Sequence, residues 1–232
     1  MIKLIQFPRM FGLPNPSPFC TKVEVLLKMA GLAYECEFLT NPGKGPKGKL
    51  PAIRDDDEII GDSELIRWHL ELKHGVDFDK GLSPHERAIG HAIARMAEER
   101  TYWVMVYSRW IEDANWRVFR DTLFASVPGF LRGVIGPPIR NRVRRMLRAH
   151  GLGLHTRDEI YAMGAADVDA IATELGAKPF LLGSEPTSVD AAVWPYILGT
   201  LAPPFESPLK QAIQRHPNLV EYSERMRARF FG

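Results

Sequence analysis

A serine lies where a strand-like segment gives way to a helix-like segment. The stretch NPSPFCTKV (15–23) places Ser17 directly before Pro18, and Cys20 follows three residues later. A serine before a proline is a favoured helix start, because its side-chain oxygen accepts a backbone N–H and proline suits the first helical position. A hydroxyl at a helix N-terminus can also donate a hydrogen bond to a thiolate. Ser17 is therefore both a helix cap and a candidate catalytic residue.

Cys20 is a second candidate for chemistry in the same turn. A thiol in the first turn of a helix has a lowered pKa when it is accessible, whereas a buried cysteine is inert. We interpret Cys20 as a buried first-turn residue. A Cys20-dependent thiol oxidoreductase is kept as an alternative.

Composition excludes several classes of protein. The chain has 232 residues, 45% hydrophobic and 25% charged, which is typical of a globular protein with a sizeable core. A formal net charge of +2 does not favour a nucleic-acid partner. Two cysteines form no disulfide framework, and no secretory signal is present, so we expect a cytoplasmic protein. No apolar run approaches the roughly 18 residues that span a bilayer, so we expect no transmembrane segment. The histidines lie at no metal-ligand spacing beside the cysteines, and we predict no metal site.

Two different regions are predicted to position these residues. Apolar alternation and helical periodicity over the first part of the chain give the order β-α-β-β-β-α, with strands near 2–7, 32–39, 50–54 and 58–60 and helices at 18–30 and 62–74. The loop 41–49 (NPGKGPKGK) is predicted to contain no regular element. After a polar linker the chain is predicted to be helical, with a long helix from Pro84 and others near 114–125, 139–149, 157–175, 189–198, 208–215 and 219–230. The predicted domains are 1–76 and 84–232.

Four motifs together define a family resemblance. They are SPFC (17–20), KLPAI (49–53), GDSE (61–64) and FLLGSEPTSVDAAVW (180–194). In these motifs the chain resembles a cytosolic glutathione transferase of the serine type, and the resemblance covers essentially the whole length. It implies a thioredoxin-like α/β N-terminal domain followed by an all-α helical C-terminal domain.

The resemblance also implies roles for individual residues. Ser17 would be catalytic and would activate the glutathione thiol, and the Leu50–Pro51 bond would be cis. Asp62 stands where the family usually has a glutamate that is one methylene longer, and Thr187 with Asp190 would form a helix capping box. The glutathione-binding residues implied are Phe19, Lys49, Leu50, Pro51, Asp62 and Ser63.

An aromatic stripe on the first long C-terminal helix is predicted to line the pocket for the second substrate, a small hydrophobic electrophile. Core packing is the alternative interpretation of such a stripe. The residues are Tyr102, Trp103, Val106, Tyr107 and Trp110.

Details of the sequence are closest to the failed-axon-connections and metaxin-like branch of the superfamily. They include PFCTK (18–22), the loop 41–49 and the run 150–183.

The segment 128–150 combines six arginines with apolar residues. This pattern is typical of a solvated helix face, and also of a segment that contacts a membrane surface or an acidic partner. We therefore expect a glutathione transferase, compatible with a homodimer, and keep as an alternative a non-catalytic scaffold with a basic binding segment.

Overall fold

The computed structural model describes residues 1–125 and 127–232, with the backbone alone at 130 and 131. Within these residues the N-terminal unit comprises β1 (Ile2–Gln6), α1 (Pro18–Met29), β2 (Tyr34–Phe38), β3 (Ala52–Asp55), β4 (Glu58–Gly61) and α2 (Ser63–His74). The C-terminal unit comprises α3 (Pro84–Met96), a π-helical segment (Ala97–Thr101), α4 (Tyr102–Trp110), α5 (Asp113–Leu123), α6 (Gly129–His150), α7 (Arg157–Leu175), α8 (Ser188–Leu201), α9 (Pro208–Gln214) and α10 (Pro217–Phe231). The predicted fold class, an α/β unit followed by an all-helical unit, is confirmed.

Two local predictions are wrong, both at prolines. α6 begins at Gly129, ten residues before the predicted start, and continues through Pro137 and Pro138. Both prolines are exposed, so water can hydrogen-bond to the backbone carbonyls that lose their helical partners. The loop 41–49 contains a 3-10 turn at Pro42–Lys44, where the Asn41 side chain accepts the N–H of Gly43 at 2.9 Å.

The sheet brings three chain segments to one edge. Its strand order is β2-β1-β3-β4, with β1 parallel to β2 and the other two pairs antiparallel. Ala52 at the start of β3 pairs with Ile5 near the end of β1 and with Gly61 at the end of β4. The loop before α1, the segment before β3 and the start of α2 therefore meet at the same edge.

α8 is the central helix of the core. Most of its residues are buried, and it packs against α1 of the N-terminal unit and against α3, α9 and α10. The predicted capping box holds its start: the Asp190 carboxylate accepts the Thr187 N–H at 2.8 Å. The same carboxylate accepts the Thr187 hydroxyl at 3.1 Å, the Leu181 N–H at 2.9 Å and the Tyr222 hydroxyl at 3.0 Å, so four donors satisfy the buried carboxylate.

Candidate functional site

Ser17 is the N-cap of α1, as the sequence predicted. Its hydroxyl oxygen accepts the N–H of Cys20 at 3.4 Å, and its own N–H donates to the Asn15 side chain at 3.0 Å. Asn15 is buried and donates to the Phe7 carbonyl at 2.7 Å, which fixes the loop between β1 and α1. Within the part of the chain that the structure describes, the Ser17 hydroxyl proton has no oxygen or nitrogen acceptor. Ser17 is thus held in place, and the buried Cys20 thiol is the side chain with which its hydroxyl interacts.

Cys20 is fully buried in a small apolar cluster with Ile5, Leu50 and Ala52. Burial raises the pKa of its thiol to about 12, although contact with the Ser17 hydroxyl acts in the opposite direction. The thiol is therefore neutral at physiological pH and a weak hydrogen-bond acceptor. Its packing on Leu50 places the first turn of α1 against the segment before β3.

The Leu50–Pro51 peptide bond is cis, which confirms the prediction. The Pro51 carbonyl accepts the N–H of Asp62 at 3.4 Å, so the segment before β3 is joined directly to the start of α2. Lys49, which precedes this bond, is exposed. Ser17, Leu50–Pro51 and Asp62 consequently form one continuous edge with the N-termini of two helices.

Asp62 is the N-cap of α2. One carboxylate oxygen accepts the N–H groups of Glu64 at 2.9 Å and Leu65 at 3.3 Å, and the backbone has a φ of 89°. Asp62 is exposed, whereas Ser63, the first residue of the helix, is buried. The Asp62 carboxylate thus already stabilises the helix start, and its contact with glutathione stays a prediction, as does that of Ser63.

Phe19 lies between the two units of the chain. Its ring meets Tyr102 edge-on with centroids 5.0 Å apart, and Tyr196 lies 6.2 Å away. Tyr102 is therefore the member of the predicted aromatic pocket that the structure places beside the first turn of α1.

The rest of the aromatic stripe packs between helices. Trp103 stacks on His150 at 4.8 Å, Tyr107 meets Tyr161 at 5.9 Å, and Trp110 stacks on a neighbouring tryptophan at 5.3 Å. Val106 is buried. These contacts join α4 to α5, α6 and α7 and give the rings a packing function, whereas their role as pocket residues stays a prediction.

A buried ion-pair network joins the two helices of the site. Lys22 on α1 is almost fully buried, and its Nζ lies 2.7 Å from Glu64 on α2 and 2.8 Å from Glu98 in the π-helical segment. Burial alone would raise the pKa of Glu64, but the charges of Lys22 and Arg67 lower it to about 2. The sequence pattern did not predict this network, although a lysine on the apolar face of α1 was a signal for it.

Arg109 connects the helical unit to the loop that holds Ser17. It is buried, and it donates to the Pro16 carbonyl at 2.8 Å and to the Gly199 carbonyl at 2.6 Å. Burial opposes its charge and lowers its pKa to about 10, so the guanidinium stays protonated at neutral pH. α4 thus supports the backbone immediately before Ser17.

The arginines of α6 divide into two groups. Arg132 donates to the Val127 carbonyl at 2.8 Å, and Arg140 donates to the Trp110 carbonyl at 2.7 Å, so these two stabilise the local fold. The exposed group is Arg142, Arg144, Arg145 and Arg148. None of the helices in the described ranges is long and apolar enough to cross a membrane.

The sheet order, the cis proline and the two helix N-termini define a thioredoxin-like domain joined to a helical domain. Residues 18–115 match the glutathione S-transferase N-terminal domain family, and residues 164–226 match the glutathione S-transferase C-terminal domain family. The chain belongs to the glutathione S-transferase family.

Relatives of two kinds are similar to this chain. It is 30% identical to the isoprene-epoxide–glutathione S-transferase of Rhodococcus sp. (strain AD45), over 99% of both chains. It is also 30% identical to Failed axon connections of Drosophila melanogaster and 26% identical to metaxin-1 of Sus scrofa. These alignments cover 100% and 81% of this chain, which spans 58% and 61% of the two relatives. The predicted relationship to this branch is confirmed.

Solved structures share the fold over nearly the whole chain. The β-etherase LigF from Sphingobium sp. strain SYK-6 has a TM-score of 0.69 at 17% identity, covering 98% of this chain and 95% of that one. Glutathione transferase F7 from Populus trichocarpa has a TM-score of 0.62 at 16% identity, with coverage of 98% and 94%. At these identities the likeness concerns the fold alone.

Proposed function

We propose that this chain is a glutathione transferase in which Ser17 stabilises the thiolate of glutathione for attack on a small hydrophobic electrophile. The observation that carries this proposal is the position of Ser17 at the start of α1. Its oxygen accepts the Cys20 N–H, and within the described residues its proton has no oxygen or nitrogen acceptor. Leu50, Pro51 and Ser63 lie along the same edge and would bind the peptide. Phe19 and Tyr102 would lie next to the electrophile.

The Ser17 hydroxyl and the N-terminus of α1 can together stabilise the glutathione thiolate enough to lower the pKa of its thiol. An ordinary thiol has a pKa of about 8.5, and lowering it by about two units requires about 2.7 kcal/mol of preferential stabilisation of the thiolate. A hydrogen bond from a hydroxyl to a charged sulfur contributes about 1.5–3 kcal/mol. The N-terminus of α1 adds about 0.3–1 kcal/mol. One hydroxyl and one helix are therefore sufficient, and the thiolate then attacks the electrophilic carbon and opens its ring or displaces its leaving group.

The first electrophile to test is a small epoxide, because the Rhodococcus relative that matches this chain end to end is named for isoprene epoxide. Calorimetry would measure glutathione binding, and product formation would be followed with epoxides and aryl halides. We expect Ser17→Ala to retain glutathione binding within a few-fold and to lose most of its turnover.

Ser83 provides a matched control. It is the N-cap of α3 and is also followed by a proline, but it lies outside the site, so Ser83→Ala tests the loss of a cap alone. Equal turnover in Ser17→Ala and in the wild-type protein would refute the role of Ser17.

A second candidate function is that of a binding or scaffold protein without catalysis. It is favoured by the exposed arginines of α6 and by the similarity to Failed axon connections and metaxin-1. The test is flotation with anionic and neutral vesicles, comparing the wild-type protein with a variant in which Arg142, Arg144 and Arg145 are glutamine. Arginine-dependent association together with no detectable glutathione binding would favour this function over the transferase.

A further inference from the structure

Two histidines and an aspartate converge on the side of the N-terminal unit away from Ser17. Asp55 ends β3 and is buried, and its Oδ2 lies 2.9 Å from His69 Nε2 and 2.8 Å from His74 Nε2. Both histidines are on α2, and the three ligand atoms lie within 4.8 Å of one another. The hairpin and the helix thus present one carboxylate oxygen and two imidazole nitrogens to the same small volume.

This donor set is one that metals of the zinc type prefer. Zinc is bound by imidazole nitrogen and carboxylate oxygen at about 2.0–2.2 Å, and a three-ligand site leaves the fourth position to water. In a tetrahedral site these distances put neighbouring donor atoms about 3.3 Å apart. To bind a metal, each imidazole nitrogen would therefore move about 0.5 Å further from the Asp55 oxygen, and small side-chain rotations allow this movement.

The charges beside this cluster have opposite effects on a bound cation. Lys73 Nζ lies 3.4 Å from Asp55 Oδ2 and 2.9 Å from Asp56 Oδ2, so a positive charge already compensates the buried carboxylate. The Lys73 ammonium is partly exposed and keeps its bond to Asp56 when it moves outward. Glu58 lies 3.7 Å from the other ring nitrogen of His69, too far for a hydrogen bond, but its negative charge favours a cation in the cluster.

We propose that Asp55, His69 and His74 form a binding site for a divalent transition metal, with Zn²⁺ as the first candidate and Lys73 as the group that competes with it. The site is independent of the transferase proposal. Bound metal would link the C-terminal part of α2 to the β3–β4 hairpin. Because it would bind the folded chain and not the unfolded chain, it would raise the free energy of unfolding.

Calorimetric titration of the full chain, without an affinity tag and in a thiol-free buffer, tests the site. We expect one Zn²⁺ per chain and no saturable heat with Mg²⁺, which prefers oxygen ligands. His69→Ala and His74→Ala should each weaken Zn²⁺ binding at least about 10-fold, because losing even an outer-shell partner of a metal ligand commonly costs about 10–100-fold. His85→Ala, which replaces an exposed histidine on α3, is the matched control and should leave the affinity unchanged.

A gain-of-affinity variant keeps the test decisive if a histidine variant does not fold. Lys73→Met removes the competing ammonium and should tighten Zn²⁺ binding, and Zn²⁺ should then raise the melting temperature more than in the wild-type protein. Absence of saturable Zn²⁺ binding overturns the proposal. Unchanged affinity in both histidine variants, or weaker binding in Lys73→Met, also overturns it.

Discussion

Replacing Lys22 by methionine should loosen the contact between α1 and α2, the two helices that begin at the site. The substitution conserves much of the apolar stem but removes a buried ammonium that lies 2.7 Å from Glu64 and 2.8 Å from Glu98. Arg67 still contacts Glu64, and Arg95 still contacts both carboxylates, so no charge is left without a partner. The cost is therefore that of a lost hydrogen bond to a charged group, about 1.5–3 kcal/mol. We therefore expect the free energy of unfolding at pH 7 to fall by about that amount.

The pH dependence of this loss follows from the Glu64 carboxyl. Its pKa of about 2 in the folded chain is below the ordinary 4.5, so its ionised form stabilises the fold above pH 4.5 and this stability is lost as pH falls toward 2. The shift corresponds to about 3.4 kcal/mol at pH 7 and about 1.4 kcal/mol at pH 3, shared between Lys22 and Arg67. In Lys22→Met the Glu64 carboxyl loses one of the charges that lower its pKa, so the difference in the free energy of unfolding between the variant and the wild-type protein should narrow at low pH.

Urea unfolding at pH 7 and pH 3 measures both effects. Lys28→Met is the control, because Lys28 is exposed on the same helix and contacts the Phe231 ring through a cation–π interaction worth about 0.5–1 kcal/mol. A loss below about 1 kcal/mol in Lys22→Met at pH 7, or an equal loss at both pH values, would refute the network argument.

Three further predictions concern the surroundings of Ser17. Iodoacetamide at pH 8 should modify Cys36 and leave Cys20 unmodified in the folded protein, because burial raises the pKa of Cys20 to about 12. Mass spectrometry of the peptides measures the labelling of each cysteine. Rapid labelling of Cys20 would support the alternative of a thiol oxidoreductase. Arg109→Met should lower the free energy of unfolding by at least about 2 kcal/mol in urea titrations, because the buried Gly199 carbonyl and the partly buried Pro16 carbonyl lose their donor. It should also raise the KM for glutathione, and an unchanged KM would show that Arg109 does not support the site. Asp62→Ala should cost about 0.5–2 kcal/mol through loss of the α2 cap, measured by thermal unfolding, and a neutral effect would contradict the capping geometry.

The sequence predicts most of the fold because its local signals agree with one another. Ser17-Pro18 and Ser83-Pro84 mark helix starts that the structure confirms, and the cis bond at Leu50–Pro51 followed from the resemblance. The start of α6 was missed, because a helix that tolerates two exposed prolines contradicts the local preference of proline.

The site was predicted less completely because its support comes from distant parts of the chain. Lys22 finds its carboxylates 42 and 76 residues away, and Arg109 reaches the Pro16 carbonyl across 93 residues. The cluster around Asp55 was missed for the same reason, since His69 and His74 follow it by 14 and 19 residues on another element. Spacing along the chain alone does not reveal such convergence.

The pKa of the glutathione thiol in the complex tests the central role of Ser17 most directly. The thiolate absorbance of bound glutathione is titrated against pH in the wild-type protein, in Ser17→Ala and in Ser83→Ala, each as a difference from the protein without glutathione. We predict a midpoint about two units below the ordinary 8.5 in the wild-type protein and in Ser83→Ala, and a midpoint about 1–2 units higher in Ser17→Ala. The same midpoint in the wild-type protein and Ser17→Ala, or a wild-type midpoint near 8.5, would contradict the proposed role.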